Sequence, residues 1–140
     1  MNNPKELKAR FPYQFEGEAI SMSYSRGWFH LFSRLCADID ETLGKDKRGF
    51  QWVQVKEKFG AARVYFRLAE GVRDQEPDLA QRLTEKKFAA EAASATTCAA
   101  CGRPGWIDQR SGWMLALCEK HHQARLDDTL GSIWFEEDEL

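Results

Sequence analysis

Residues 98–122 read CAACGRPGWIDQRSGWMLALCEKHH, and this stretch decides the C-terminal architecture. Cys98 and Cys101 stand two residues apart, a 16-residue gap follows, and Cys118 and His121 close the set as Cys-x2-His. Thiolate sulfur and imidazole nitrogen are the preferred ligands of zinc, and two such pairs can complete a tetrahedron. The first pair reads as a knuckle, a tight turn in which Gly102 permits a backbone that a side chain would strain. Gly105–Ile107 and Gly112–Leu115 then read as two short strands joined at Gln109–Ser111. Cys118 and His121 fall one turn apart at the start of a final helix, roughly 118–129, so both ligands share a face. Knuckle, hairpin and ligand-bearing helix resemble a treble-clef zinc finger. His121 fits the x2 spacing, and His122 is the alternative fourth ligand.

Four protein ligands leave no coordination position for water, so the expected ion is one structural zinc. HNH-type nucleases share the treble clef but place a catalytic His on the hairpin, and Trp106–Leu117 contains none. The His-x-Glu plus Pro-Cys-x-x-Cys pattern of nucleobase deaminases is also missing. No nucleophile elbow, phosphate loop or dinucleotide fingerprint occurs. His30, beside an apolar stripe, is expected to be a partly buried helix residue rather than a base. A non-enzyme is expected.

Upstream of the module the period changes. Trp28, Leu31, Phe32, Leu35, Ile39 and Leu43 recur at three- and four-residue steps and define an amphipathic helix. Ser25 is its candidate N-cap and Gly44 its stop, with Ser33, Arg34, Asp38, Asp40 and Glu41 on the wet side. Cys36, beside the stripe, reads as a buried inert thiol. Residues 50–68, FQWVQVKEKFGAARVYFRL, alternate with period two on either side of a turn near Lys58–Ala61 and read as an antiparallel hairpin. Val53, Val55, Val64 and Phe66 are expected to face the helix. Trp52, Lys56, Arg63, Tyr65 and Arg67 would form the opposite, basic and aromatic face. Phe59–Phe66 superficially matches the RNA-recognition octapeptide, but Ala61 and Arg63 occupy the base-stacking positions. A second helix is expected from Asp74 to about Thr96, with Leu79, Leu83 and Ala90 inward. Residues 1–24 are weakly patterned, with Pro4 and Pro12 as breakers and Phe11, Tyr13 and Phe15 as packing anchors. The predicted fold class is α+β: an amphipathic helix on a hairpin or small sheet, carrying a treble-clef-like zinc module. Residues 1–96 would form the core domain and 97–140 the module, unless the two are continuous.

The chain has 140 residues, 43% hydrophobic and 30% charged, an ordinary globular composition. It has no apolar run of 18 residues and its N-terminus has no apolar signal region, so a cytoplasmic protein with no membrane partner is expected. That compartment favours metal binding by three of the four cysteines over a disulfide framework. The net charge of −2 recruits no polyanion globally. Glu136–Glu139 concentrate four negative charges at the end, leaving the remainder mildly positive.

Several of these pieces together resemble an uncharacterised family of small bacterial and prophage-associated proteins. They are Gly27-Trp28, Gln54–Gly60 with Arg63 and Tyr65, Cys98-x2-Cys101-Gly102-x-Pro104-Gly105, Gly112-Trp113, and Leu117-Cys118-x2-His121. The likeness covers about two-thirds of the chain. It departs at Ala61-Ala62, where a Gly-Leu type pair is usual, and it implies a metal-stapled α+β domain of bacterial or phage origin without an assigned activity. The reading preferred from sequence is a zinc-stabilised protein–protein interaction protein, of immunity or inhibitor type. Trp134, Phe135, Glu136 and Glu137 would then cover a basic partner. The alternative is nucleic-acid binding by the hairpin face, aided by Arg103 and Arg110. A metal-dependent enzyme using His122 is the least favoured.

Overall fold

The computed structural model describes residues 3–17, 20–108 and 113–140. The expected joining turn Gln109–Ser111, with Arg110 and Gly112, lies outside the described residues. Helix α1 spans Pro4–Arg10, with the Asn3 carboxamide accepting the Glu6 N–H at 2.9 Å as N-cap. Pro4 therefore starts a helix instead of breaking one, because a first-turn residue needs no N–H partner. A 3-10 turn, Pro12–Phe15, leads to the two-residue strand β1, Ser21–Met22. A second 3-10 turn, Arg26–Trp28, precedes α2, Phe29–Leu43. Ser25 supplies no side-chain cap, and Gly44 closes the helix as expected, its N–H donating to the Asp40 carbonyl. Ser33 is buried and His30 exposed, both against expectation, because Phe29 joins the apolar stripe and widens it on that side.

Strands β2, Gln51–Lys58, and β3, Ala61–Arg67, form the expected antiparallel hairpin, and β1 adds to β2 in parallel. The turn is Phe59-Gly60, both with positive φ (54° and 89°), as two-residue hairpin turns of this hand require. The register slips between Trp52 and Gln54, so Val53 is a bulge. A bulge reverses the side-chain alternation upstream of it. Trp52, opposite Phe66, thus turns inward beside Val55 and is 1% exposed. It is a core residue, not part of the outer face. Its ring packs on Phe32, Phe50 and Phe66, and its indole N–H donates to the Gln14 carbonyl oxygen at 3.0 Å. The fully buried Gln14 also donates to the Cys36 carbonyl at 2.9 Å, so one side chain joins the 3-10 turn, α2 and β2. Burial pushes the Cys36 thiol well above its ordinary value, which keeps it protonated and inert.

The second helical segment breaks at Glu76, where Pro77 ends one helix and starts another. The pieces are α3, Val72–Gln75, and α4, Pro77–Ser94. Leu79 and Leu83 face the core, with Ala90 partly buried against it. Helix α4 also covers the free edge of β3. The Ala62 N–H donates to Ser94 Oγ at 2.7 Å and the Val64 N–H to Glu91 Oε2 at 2.8 Å, while Lys87 Nζ donates to the Val64 carbonyl at 2.9 Å. Polar side chains thus stand in for a missing strand and remove an exposed edge. No helix among the described residues is long and apolar enough to cross a membrane.

Beyond α4 the chain enters β4, Trp106–Asp108, β5, Leu115–Leu117, and α5, Glu119–Leu126. Strand β5 begins later than the sequence pattern places it. The module rests on the segment before α2. Gly27 N donates to the Ala99 carbonyl at 2.8 Å and the Trp28 indole to the Thr97 carbonyl at 2.9 Å. A Cβ on Gly27 would lie 2.1 Å from the Cys98 oxygen. On the far side of this segment the final residues return: Arg26 N donates to the Ile133 carbonyl at 2.7 Å, and Ser25 bridges to Trp134. Phe135 packs edge-on against Tyr24 and Phe29. Since backbone meets backbone at Gly27, Gly27→Ala is expected to cost about 3 kcal/mol or more. Urea denaturation measures this, and a loss below about 1 kcal/mol would contradict the close approach.

Candidate metal centre

Cys98 and Cys101 are brought together by a turn in which Gly102 N donates to the Cys98 carbonyl at 2.8 Å and Cys98 N to the Arg103 carbonyl at 2.7 Å. Ala99 N reaches across to the Ala116 carbonyl at 2.7 Å, tying the knuckle to β5. Strand β5 in turn delivers Cys118 to the N-terminus of α5, and the first turn of that helix delivers His121. The four expected ligand residues thus meet, their ligand atoms all within 4.8 Å of one another. Cys101 Sγ lies 3.9 Å from Cys118 Sγ, and His121 Nδ1 lies 3.2 Å from Cys118 Sγ and 3.5 Å from Cys98 Sγ. This is a metal-binding constellation of three thiols and one imidazole.

The electrostatics divide, Cys118 and His121 shifting toward their ligating forms and Cys98 away from its own. Burial raises the Cys98 thiol above its ordinary value. At Cys118 burial also pushes upward, but backbone N–H groups of His121 and Lys120 and the neighbouring thiols outweigh it, and the thiol falls below its ordinary value. Burial, then Lys120 and Arg103, lowers His121 and favours its neutral, ligating form.

His122 is turned away. It is 3% exposed, and its Nε2 lies 2.9 Å from the Trp106 carbonyl, which can only accept, so Nε2 carries the proton. Its ring lies against the Trp106 ring, centroids 4.7 Å apart. His122 therefore fastens α5 to β4.

A second fastening joins the module to the hairpin tip. Glu57 Oε1 accepts the Gly60 N–H at 2.9 Å and the Trp113 indole N–H at 3.1 Å. A Cβ on Gly60 would lie 3.1 Å from Ile107 side-chain carbons. The run Lys56–Gly60 thus has a structural explanation: its turn is the seat of β4.

The remaining candidate residues divide. Lys56 and Arg63 stand directly opposite one another, and Tyr65 and Arg67 share their face. Tyr65 is 42% exposed, with Lys56 Nζ at 6.0 Å and Lys87 Nζ at 4.9 Å from its ring centre. Arg67 donates to Gln51 Oε1 at 2.9 Å. Arg103 is exposed beside the knuckle. Trp134 stacks on Trp113 at 5.8 Å, and Phe135 is packed against the main core, under the Arg26 guanidinium. Arg26 pairs with Glu139 at 2.6 Å, so Glu136 and Glu137 are exposed on a tail that is anchored on both sides. Sequence reasoning did not find Gln14, Glu57, Glu91 or Ser94. Their polarity reads as surface, and no local spacing signals a buried polar bracket.

No family model, curated protein or solved structure matches the chain.

The two histidines separate cleanly by substitution. His121→Ala removes a ligand and is expected to weaken metal binding beyond the roughly 10–100-fold that loss of an outer partner costs. His122→Phe is expected to keep the metal while losing about 1–3 kcal/mol of stability, since the Trp106 carbonyl loses its donor. Chelator competition and denaturation read the two effects, and equal metal loss in both variants would overturn the assignment.

Proposed function

We propose that this protein is a non-enzymatic, zinc-stabilised interaction protein whose docking surface for an acidic protein partner is the outer face of β2 and β3. Zinc is the ion because a tetrahedron with Zn–S of about 2.3 Å and Zn–N of about 2.0 Å has edges of roughly 3.8 Å between sulfurs and 3.5 Å between sulfur and nitrogen. The spacings of 3.9, 3.5 and 3.2 Å approximate those edges. Soft thiolates select zinc over harder cations. With four protein ligands the role is structural, and the module, too small to bury a core of its own, depends on the ion. Purified protein is expected to carry one equivalent of zinc. Lowering the pH protonates the ligands, so zinc occupancy and melting temperature should fall together as pH drops; a chelator that leaves the melting temperature unchanged would refute the stabilising role.

One observation carries the docking surface. Lys56 and Arg63 are directly opposite, an arrangement that costs stability when nothing neutralises it. Neither they nor Lys58 and Arg67 form an ion pair among the described residues. An acidic surface would relieve that repulsion, with the half-exposed Tyr65 ring as its apolar anchor. The tail is the weaker candidate because Phe135 and Glu139 are already engaged within the chain. Neutralising a partner protein, as immunity and inhibitor proteins do, is the role this surface suits within the bacterial or phage setting implied by the resemblance.

A single-stranded nucleic acid is the second reading, favoured by Phe88. Its exposed ring lies 4.7 Å from Lys87 Nζ, which also sits over Tyr65, so two stacking rings flank one cation. Affinity capture from native lysate with wild type and the Arg63→Glu/Arg67→Glu variant decides between them. The expected result is a nuclease-insensitive protein partner held by wild type and lost, at least tenfold, by the variant. Equal capture by both sinks the surface, and nuclease-sensitive retention with a steep salt dependence transfers the assignment to nucleic acid.

A further inference from the structure

The three cysteines of the ligand set are not equally placed. Cys98 is fully buried and belongs to the cluster around Trp28. Its N–H is tied to the Arg103 carbonyl, its carbonyl accepts the Gly102 N–H, and the next residue is tied to Ala116. Cys101 is exposed, and Cys118, the residue before α5, is half-buried at the rim of the cluster. The two accessible cysteines are also in mutual contact, with Cys101 Sγ 3.9 Å from Cys118 Sγ. A disulfide has an S–S length of about 2.05 Å, so the sulfurs need to close by only about 2 Å. Rotation about the Cα–Cβ bond of an exposed residue displaces solvent alone, whereas Cys98 could join a disulfide only by disturbing its packing. Arg103 and Lys120, both exposed, lie two residues beyond the two cysteines, against one exposed carboxylate at Glu119. Reactive thiols sit in such electropositive, partly exposed surroundings.

We propose that Cys101 and Cys118 are a modification site for hydrogen peroxide, which joins them in a disulfide and so removes two of the four metal ligands. This inference rests on the zinc reading above and concerns the regulation of that same site. Metal ligation keeps both sulfurs as thiolates, the nucleophilic form. The Cys101 thiolate attacks one peroxide oxygen, the O–O bond breaks, hydroxide leaves, and the sulfur becomes a sulfenic acid. The Cys118 thiolate then attacks that sulfur, the S–S bond forms, and a second hydroxide leaves. Two electrons have passed from the two sulfurs to the peroxide, and two solvent protons convert the hydroxides to water. Cys98 and His121 remain, two ligands where a closed tetrahedron needs four. A dithiol reductant reverses the step by thiol–disulfide exchange, becoming a disulfide itself. Cys36, wholly buried in the main core, takes no part.

The test uses the full chain, its zinc content first fixed by elemental analysis, treated with one equivalent and then about a tenfold excess of hydrogen peroxide. Zinc is measured again after desalting. Mass spectrometry of a non-reduced digest, alkylated under denaturing conditions and fragmented to locate each label, shows which cysteines are joined. The expected result is the loss of one equivalent of zinc for each Cys101–Cys118 linkage formed, with Cys36 and Cys98 alkylated as free thiols. Dithiothreitol with added zinc should restore the full zinc content. Linkage of Cys98 to either partner as the main product overturns the proposal, as does a disulfide between two copies of the chain. Irreversible oxidation of Cys101 without a linkage overturns it too. Protein that holds zinc and keeps it at the tenfold excess refutes this proposal alone. Protein that holds no zinc before treatment refutes the metal reading and this proposal with it.

Discussion

The approach of the Gly27 backbone to the Cys98–Ala99 peptide is the contact on which the rest of the structure depends. A module built from two three-residue strands and an eight-residue helix cannot bury enough apolar surface to stand alone. It needs a floor, and Trp28 is that floor. Its ring clusters with Cys98, Ala99, Leu115, Ala116, Leu117 and Ile133, and its indole N–H is satisfied by the Thr97 carbonyl. The floor can lie this close only because position 27 has no side chain. Residues 24–28 are consequently held between two partners, the knuckle on one side and residues 133–135 on the other. The start of α2, the knuckle and the C-terminal return form one unit, although they are remote in sequence.

The hairpin tip provides the complementary constraint. Glu57 shapes the Phe59-Gly60 turn and fixes the Trp113 indole with one oxygen. The module therefore touches the core at both the start of α2 and the turn of β2–β3. Two attachments fix orientation where one would allow pivoting. The basic face and the ligand set consequently keep a defined relation, and a disturbance at the knuckle would be felt at the hairpin as well. Surface pairs such as Arg26–Glu139, each over one-third exposed, add little by comparison.

How much of this was legible in the chain follows from how each feature is encoded. The ligand set was, because tetrahedral coordination demands particular residue types at short spacings. The α2 stripe and the hairpin turn were, because each is a local periodicity with a local stop. Trp52 was assigned to the wrong face because one bulged residue, Val53, shifts the alternation, and no feature of the Val53 side chain announces it. Glu91 and Ser94 carry no such signal, because polar residues on an Ala-rich helix look like any solvated face. Their acceptors replace the neighbour that β3 lacks, a need created by tertiary structure alone. The acidic tail was expected to cover a basic partner, while Phe135 and Glu139 bind positions more than a hundred residues earlier in the same chain.

Net charge therefore describes this molecule poorly. A value of −2 suggests indifference to anions, yet screening restricts exposed charges to a reach of about 8 Å at physiological ionic strength. A partner in contact with β2–β3 senses Lys56, Lys58, Arg63 and Arg67, not the sum over the chain. At the opposite charge extreme, Glu139 is neutralised by Arg26, and the depressed carboxyl of Glu139 reflects mainly the hydrogen bond from that guanidinium. The acid of the tail is partly used up in closing the fold, while Lys56, Lys58, Arg63 and Arg67 form no ion pair among the described residues. Where a fold neutralises one patch internally and leaves another uncompensated across paired strands, the uncompensated patch is where an external charge gains most.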